Sequence, residues 1–183
     1  EQREKLLISA SSQLGLCYMA AGRLLDAKPL LEFARDGAYR LNPPSEPSRA
    51  WVWYSTAALY TQLGEYDDAI REWLRAIDVI NERPRDPGDV SRPVIDRHVV
   101  WLWIAHVYAL AGRADDALAY FDRAMALPEM WIGYDPWVHA TYPDMARLLV
   151  SQGRFADAER LLAMGHKSAL NGADTGGTDI AVF

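Results

Sequence analysis

Apolar residues recur every three or four positions along this chain, in runs that come in pairs, with a glycine between the two members of each pair. That spacing predicts amphipathic helices joined two by two. Gly22, Gly64, Gly112 and Gly153 lie inside the similar segments AAGRLLDA, QLGEYDDA, LAGRADDA and SQGRFADA, at intervals of 42, 48 and 41 residues. An alanine follows five residues after each glycine (Ala27, Ala69, Ala117, Ala158), and a large apolar residue nine after it (Leu31, Trp73, Phe121, Leu162). Four before the glycine stand Tyr18, Tyr60, Tyr108 and Leu149; twelve after it stand Ala34, Ala76, Ala124 and Gly165. Such an internal repeat predicts helix hairpins with tight glycine turns, in which small residues let the helices approach and large ones fill the gap. The expected fold class is all-α.

Local signals place the helix ends. Asp67 and Asp68, Asp115 and Asp116, and Asp157 fall in the first turn of each second helix, where a carboxylate is expected to cap free N–H groups. Pro29 fits the first unit if Asp26 is the N-cap and the helix starts late. Pro143 similarly predicts a helix starting at Thr141. The Pro-rich stretches from Leu41 to Ser48 and from Glu82 to Pro93 read as loops. The connection from Leu127 to Val138 holds Met130, Trp131, Ile132, Tyr134 and Trp137 and is expected to pack back on its own domain. A mobile tail is expected from Asn171 onward. Cys17, beside Leu16 and Tyr18, reads as a small buried hydrophobe.

These residues resemble the tetratricopeptide repeat, a 34-residue helix-turn-helix unit with Trp near its start, Tyr in the first helix, Gly at the turn and Ala, Phe, Ala along the second helix. The unit beginning at Ala50 carries Trp53, Tyr60, Gly64, Tyr66, Ala69, Trp73 and Ala76 in register; the unit at His98 carries Trp101, Ala105, Tyr108, Gly112, Ala117, Phe121 and Ala124. The units at Ile8 and His139 match less fully, with Ser11 for the Trp and with Leu149 and Gly165 for the Tyr and last Ala. The resemblance implies a right-handed α-solenoid over residues 1–172, with a tail at 173–183. In length the 42-residue spacing is similar to the repeats of kinesin light chain and of some bacterial regulators and peptide-sensing receptors.

The resemblance also implies a site, since the family's first helices line a concave surface that holds peptides. The family's groove positions fall here on Ser12 and Leu16, on Trp51, Tyr54, Ala58 and Thr61, on Leu102, Trp103, His106 and Ala109, and on Arg147, Val150 and Ser151. The implied groove is aromatic and aliphatic. The positions at which some members clamp a C-terminal carboxylate hold Ser12, Leu16, Ser55, Val99 and Trp103, or Tyr54, Ala58, Trp103, Ala140 and Asp144. Neither set supplies the Lys, Asn and Arg that such a clamp needs. Two tryptophan pairs stand out, Trp51 with Trp53 and Trp101 with Trp103. Residues two apart on a helix cannot share a face. With Trp53 and Trp101 at the family's buried position, Trp51, Tyr54 and Trp103 are expected to form an aromatic anchor.

Composition narrows the function further. A net charge of −6, from 19 basic and 25 acidic residues that alternate in sign, argues against nucleic acid and anionic membranes as partners. The longest apolar run, Val99 to Ala111, is 13 residues long, too short to span a bilayer. One cysteine cannot form an internal bridge. There is no HExxH, phosphate loop, CxxC or recognisable Ser/His/Asp set. His98 and His106 could share a helix face, but no third ligand stands at metal spacing. We therefore expect no enzyme activity, no cofactor and no metal. The expected function is a cytoplasmic scaffold that binds a protein or peptide. The alternative is a sensory or regulatory segment of a larger signalling protein or transcription regulator, taking a small molecule or signalling peptide. Self-association into a homo-oligomer is a third possibility. The N-terminal Glu1-Gln2-Arg3-Glu4-Lys5 suggests a piece of a longer chain with further domains, and 16 Arg to 3 Lys suggests a GC-rich, bacterial source.

Overall fold

The computed structural model describes residues 2–41, 47–81, 97–126 and 141–174, and among them every regular element is an α-helix. The chain divides into two compact units, residues 1–100 and 101–183. The first contains α1 (Gln2–Ala20), α2 (Leu24–Leu41), α3 (Pro47–Leu63) and α4 (Tyr66–Asn81). Helix α5 (Arg97–Leu110) begins at the end of the first unit and lies mostly in the second, followed by α6 (Ala114–Met125), α7 (Tyr142–Ser151) and α8 (Phe155–Asp174).

The four glycine turns share one geometry. Each glycine takes a φ of 72–76°, a left-handed conformation that costs a residue with a side chain far more than it costs glycine. In the first turn the Arg23 N–H donates to the Tyr18 carbonyl (2.8 Å) and the Gly22 N–H to the Met19 carbonyl (2.9 Å). This is a Schellman closure, and it satisfies carbonyls the helix end leaves free. The same pair of bonds recurs at Glu65, Arg113 and Arg154. In two of the turns the arginine just after the glycine also folds back over an aromatic ring: Arg23 lies 4.4 Å from the Tyr18 centroid and Arg113 4.6 Å from that of Tyr108.

The core is a series of seams. In the first unit α1 packs on α2, α2 on α3 and α3 on α4. Met19, Ala27, Leu31, Ala58 and Leu59 form one cluster; Ile8, Ala34, Ala38 and Val52 form another. Fully burying a side chain such as Leu31 contributes about 2–3 kcal/mol. In the second unit Tyr108 of α5 stacks on Tyr120 of α6 at 5.5 Å, and α7 packs on α8. The alanines twelve after the turn glycines are buried, and Gly165 takes their place in α8 for a physical reason. A Cβ at Gly165 would fall on the ring of Tyr142.

Several expectations need correction. Helix α2 does not start late: it begins at Leu24 and carries Pro29 inside it, on an exposed face where solvent can reach the carbonyl that the missing N–H cannot bond. Several of the first-turn carboxylates meet arginine side chains. Asp26, Asp116 and Asp157 accept from the Nε–H groups of Arg23, Arg113 and Arg154 at 2.7, 2.9 and 2.6 Å, and α6 has Arg113 at its N-cap with no side-chain cap bond. Cys17 is exposed. Pro143 stands as expected, in the first turn of a helix with Thr141 at its N-cap position. Helix α3 begins at Pro47 and α8 runs to Asp174, so helix enters the expected loop and tail at those points. The Met130 to Trp137 connection, the Glu82 to Pro93 loop and residues 175–183 lie outside the described residues.

Candidate partner-binding surface

The groove positions lie on α1, α3, α5 and α7, the first helices of the hairpins. In α3 every side chain from Val52 to Tyr60 is buried, and in α5 every one from Val100 to Tyr108 except the half-buried Trp101. A helix apolar all round is covered all round. Tyr54 is accordingly buried, with its ring edge-on to Trp73 at 5.0 Å, and Ala58 belongs to the Leu31 cluster. Leu102, Trp103 and His106 are buried as well, and Trp103 is only 5% exposed. The expectation of an exposed indole at Trp103 is thus reversed: Trp101 is the more open of the pair. The side chain of Trp51 lies outside the described residues. In α1, Ser12 is buried and Leu16 packs half-buried against Met19 and Leu31.

What remains open lies mainly on α7. Arg147 has a side-chain exposure of 77%, and Val150 and Ser151 are exposed beyond it. The Arg147 guanidinium sits 3.0 Å from Asp144 Oδ1, while Asp144 Oδ2 lies 3.0 Å from Nε2 of His106 on α5. His106 also faces the Trp103 ring at 5.8 Å. Burial pushes the His106 pKa below its ordinary value, and the hydrogen bond to Asp144 offsets part of that shift. Asp144 was missing from the expected site, although its place three residues before Arg147 and four before Leu148 puts it on the same face.

A second cluster lies in the first unit, where a cleft of about 610 Å³ opens between α2 and α4. Arg35, Arg40, Arg71 and Arg75 line it with Asp36, Asp68 and Glu72. Each guanidinium already faces a carboxylate. Glu72, almost wholly buried, accepts from Arg75 Nη1 at 2.8 Å and from Arg35 Nη1 at 3.4 Å. Arg35 Nη1 also donates to the Tyr60 hydroxyl at 2.9 Å, and that hydroxyl donates to Glu32 at 2.7 Å. Burial and Glu32 push the Tyr60 pKa up to about 12. The cluster is an ionic tie between neighbouring hairpins. Among the described residues no group of three or more His, Cys, Asp or Glu side chains could hold a metal ion, and no helix is long and apolar enough to cross a membrane.

Two family models described as tetratricopeptide repeat match this chain, at residues 13–89 and 96–169. The fold is similar to that of BtubC (BKLC) from P. vanneervenii, with a TM-score of 0.67 and 20% identity over 94% of this chain and 66% of that one, just under two thirds of its length. It is similar to nearly identical TPR-like repeats of a putative kinesin light chain from Podosopora anserina, with a TM-score of 0.63, 19% identity, and coverage of 92% and 76%. MamA gives a TM-score of 0.58 at 16% identity, covering 91% of this chain and 81% of its own. At these identities the likeness is one of fold. A comparison with curated proteins found no match.

Proposed function

We propose, on the premise that this chain belongs to the tetratricopeptide repeat family, that it is a scaffold which takes a protein or peptide on the first helices of its hairpins and does no chemistry of its own. Repeats of this family generally mediate protein–protein interaction and scaffolding. The observation that carries the reading is the open row on α7, where Arg147 and Val150 stand clear of the packed helices beside Asp144. Arg147 spends one nitrogen on Asp144 and keeps others for a partner's carboxylate or carbonyl groups. Val150 offers an apolar contact one helical turn on. In the second unit the buried Leu102 and Trp103 act in this reading as the floor behind the surface, with His106 fixed under Asp144, while Ser12, Tyr54 and Ala58 are buried within the first unit. Leu16 and Trp51 complete the candidate set on α1 and α3. A cytoplasmic setting belongs to the same proposal.

The test is capture. The immobilised 183-residue chain is incubated with lysate of its source organism, alongside Arg147→Glu and Val150→Glu variants whose helicity is checked by circular dichroism. Loss of the captured partner in either folded variant supports the surface. A partner retained equally by both, or no partner at all, overturns it.

A further inference from the structure

The cleft between α2 and α4 holds charges that the repeat does not require. Counted from the turn glycine, Glu72 stands where the other hairpins carry Leu30, Tyr120 and Leu161, and Arg35 where they carry Ile77, Met125 and His166. Glu72 is 2% exposed, and its Oε2 has no hydrogen-bond partner among the described residues. A buried ion pair adds little to stability over apolar residues of similar size, and a buried oxygen without a partner works against it. Packing of the hairpins therefore does not account for this carboxylate. What it does is hold guanidiniums: its Oε1 accepts from Arg75 at 2.8 Å and from Arg35 at 3.4 Å.

In the outer part of the cleft the guanidiniums stay available. Arg40, Arg71 and Arg75 keep 58%, 57% and 44% of their side chains in solvent. Each is engaged through one nitrogen: Arg40 Nη2 with Glu4 at 3.5 Å, Arg71 Nη2 with Asp68 at 2.7 Å, and Arg75 Nη1 with Glu72. The Arg40 to Glu4 pair is long and exposed on both sides, and such a pair yields readily. A guanidinium carries five N–H donors in a planar fork that matches a carboxylate with two parallel bonds, so all three have donors left. The Tyr39 ring forms an apolar wall beside them, its centroid 5.5 Å from the Arg75 guanidinium. Four arginines against Asp36, Asp68 and Glu72 leave the lining one positive charge in excess, on a chain whose net charge is −6.

We infer that this cleft binds an acidic segment of a partner protein, whose Asp or Glu carboxylates are taken by Arg40, Arg71 and Arg75. The single excess charge and the fork geometry select a carboxylate, because a phosphate group would bring nearly twice the charge against Asp36 and Asp68. The occupant is a segment of chain because the cations lie half in solvent, where one ion pair contributes little. A segment that brings several carboxylates at once adds their effects, and a cleft of about 610 Å³ has room for them. The cleft belongs to the second helices of the first unit, whereas the open row of the proposed function lies on α7, so either can fail without the other.

The test is fluorescence anisotropy of a labelled oligoglutamate peptide titrated with the 183-residue chain at low salt. An acidic chain repels such a peptide overall, so saturable binding requires a local site. The peptide is expected to bind with a Kd below about 1 mM, and its oligoglutamine counterpart about tenfold or more weaker. Arg40→Gln and Arg71→Gln combined, with helicity checked by circular dichroism, are expected to weaken binding about tenfold. Arg123→Gln and Arg160→Gln combined remove the same charge from exposed sites elsewhere and are expected to leave binding unchanged. Glutarate, a free dicarboxylate, is expected to compete only at concentrations about tenfold or more above those of unlabelled peptide. Equal binding of the two peptides overturns the inference, and so does an equal loss in the two double variants or glutarate that competes as well as the peptide.

Discussion

Nε2 of His106 on α5 lies 3.0 Å from Oδ2 of Asp144 on α7, and this bond joins the first helices of two hairpins across 38 residues of sequence. The imidazole is buried, and its Nδ1 has no hydrogen-bond partner among the described residues. The neutral form, with the proton on Nε2, suits that setting. Burial lowers the pKa in the folded state, so the unfolded chain binds the extra proton more readily, and acidification costs stability. The loss should set in near pH 6.5, the ordinary histidine value, and grow until the pH reaches the lower folded pKa. Unfolding free energies from urea melts between pH 7.5 and 5 should show it, and His106→Gln should flatten the slope. An unchanged slope in the variant would sink the idea.

Asp144 opposes the effect of burial on His106. Asp144→Asn keeps the shape of the side chain and removes its charge, so the His106 titration midpoint should move further down. The Cε1–H proton resonance reports it directly. A midpoint that rises would mean that Asp144 is not the group that holds the imidazole.

Leu31 and Leu162 occupy the same place in the repeat with opposite surroundings, fully buried and half exposed. Leu31→Ala should cost about 2–5 kcal/mol through lost burial and the cavity left behind. Leu162→Ala should cost less than about 1 kcal/mol at concentrations where the chain is monomeric. Chemical melts of both variants check this, and equal costs would show that the repeat position alone decides.

This contrast also marks what the amino-acid pattern could reveal. The turn glycines, the alanines that follow them and the ring of Phe121 behave as the spacing implies, because each depends on its own hairpin. Cys17, Trp103 and Leu162 do not, because their burial depends on whether another helix lies beside their own. A single helix's periodicity carries no record of that neighbour. Comparing equivalent positions does, since Cys17 aligns with Leu59 and Val107, which a neighbouring helix covers.

Gly165 faces Tyr142, where an added Cβ would meet the ring. Gly165→Ala should therefore destabilise by about 1–3 kcal/mol in spite of alanine's better helix propensity. Tyr142→Ser with Gly165→Ala places the residue types that the first hairpin carries at the equivalent positions, Ser11 and Ala34, and the double variant should lose less than the two single losses together. Additive losses would place the strain elsewhere.

Glu72 is a buried carboxylate whose Oε1 alone takes both Arg75 and Arg35, and burial raises its pKa. Glu72→Ala leaves two guanidiniums without that partner and should cost about 2 kcal/mol, with the half-exposed Arg75 keeping the figure below that of a wholly buried pair. Glu72→Gln should cost less, because it still offers an acceptor and removes a desolvated charge. Thermal melts distinguish the two, and equal losses would show that charge is what the cluster needs.

The Lys28 to Glu65 bond has a consequence for how the chain opens. Glu65, just after its turn glycine, reaches back to the preceding hairpin, and Arg154 does the same through Asp122 of α6 while also bonding Asp157 of its own helix; Arg23 and Arg113 bond Asp26 and Asp116 of their own helices. The residue after the glycine is thus the point at which a hairpin can be fastened to its predecessor, as Glu65 and Arg154 are. With Arg35, Tyr60 and Glu32 adding a second fastening, α1 to α4 should exchange their amide protons as a single cooperative block instead of peeling off one hairpin at a time.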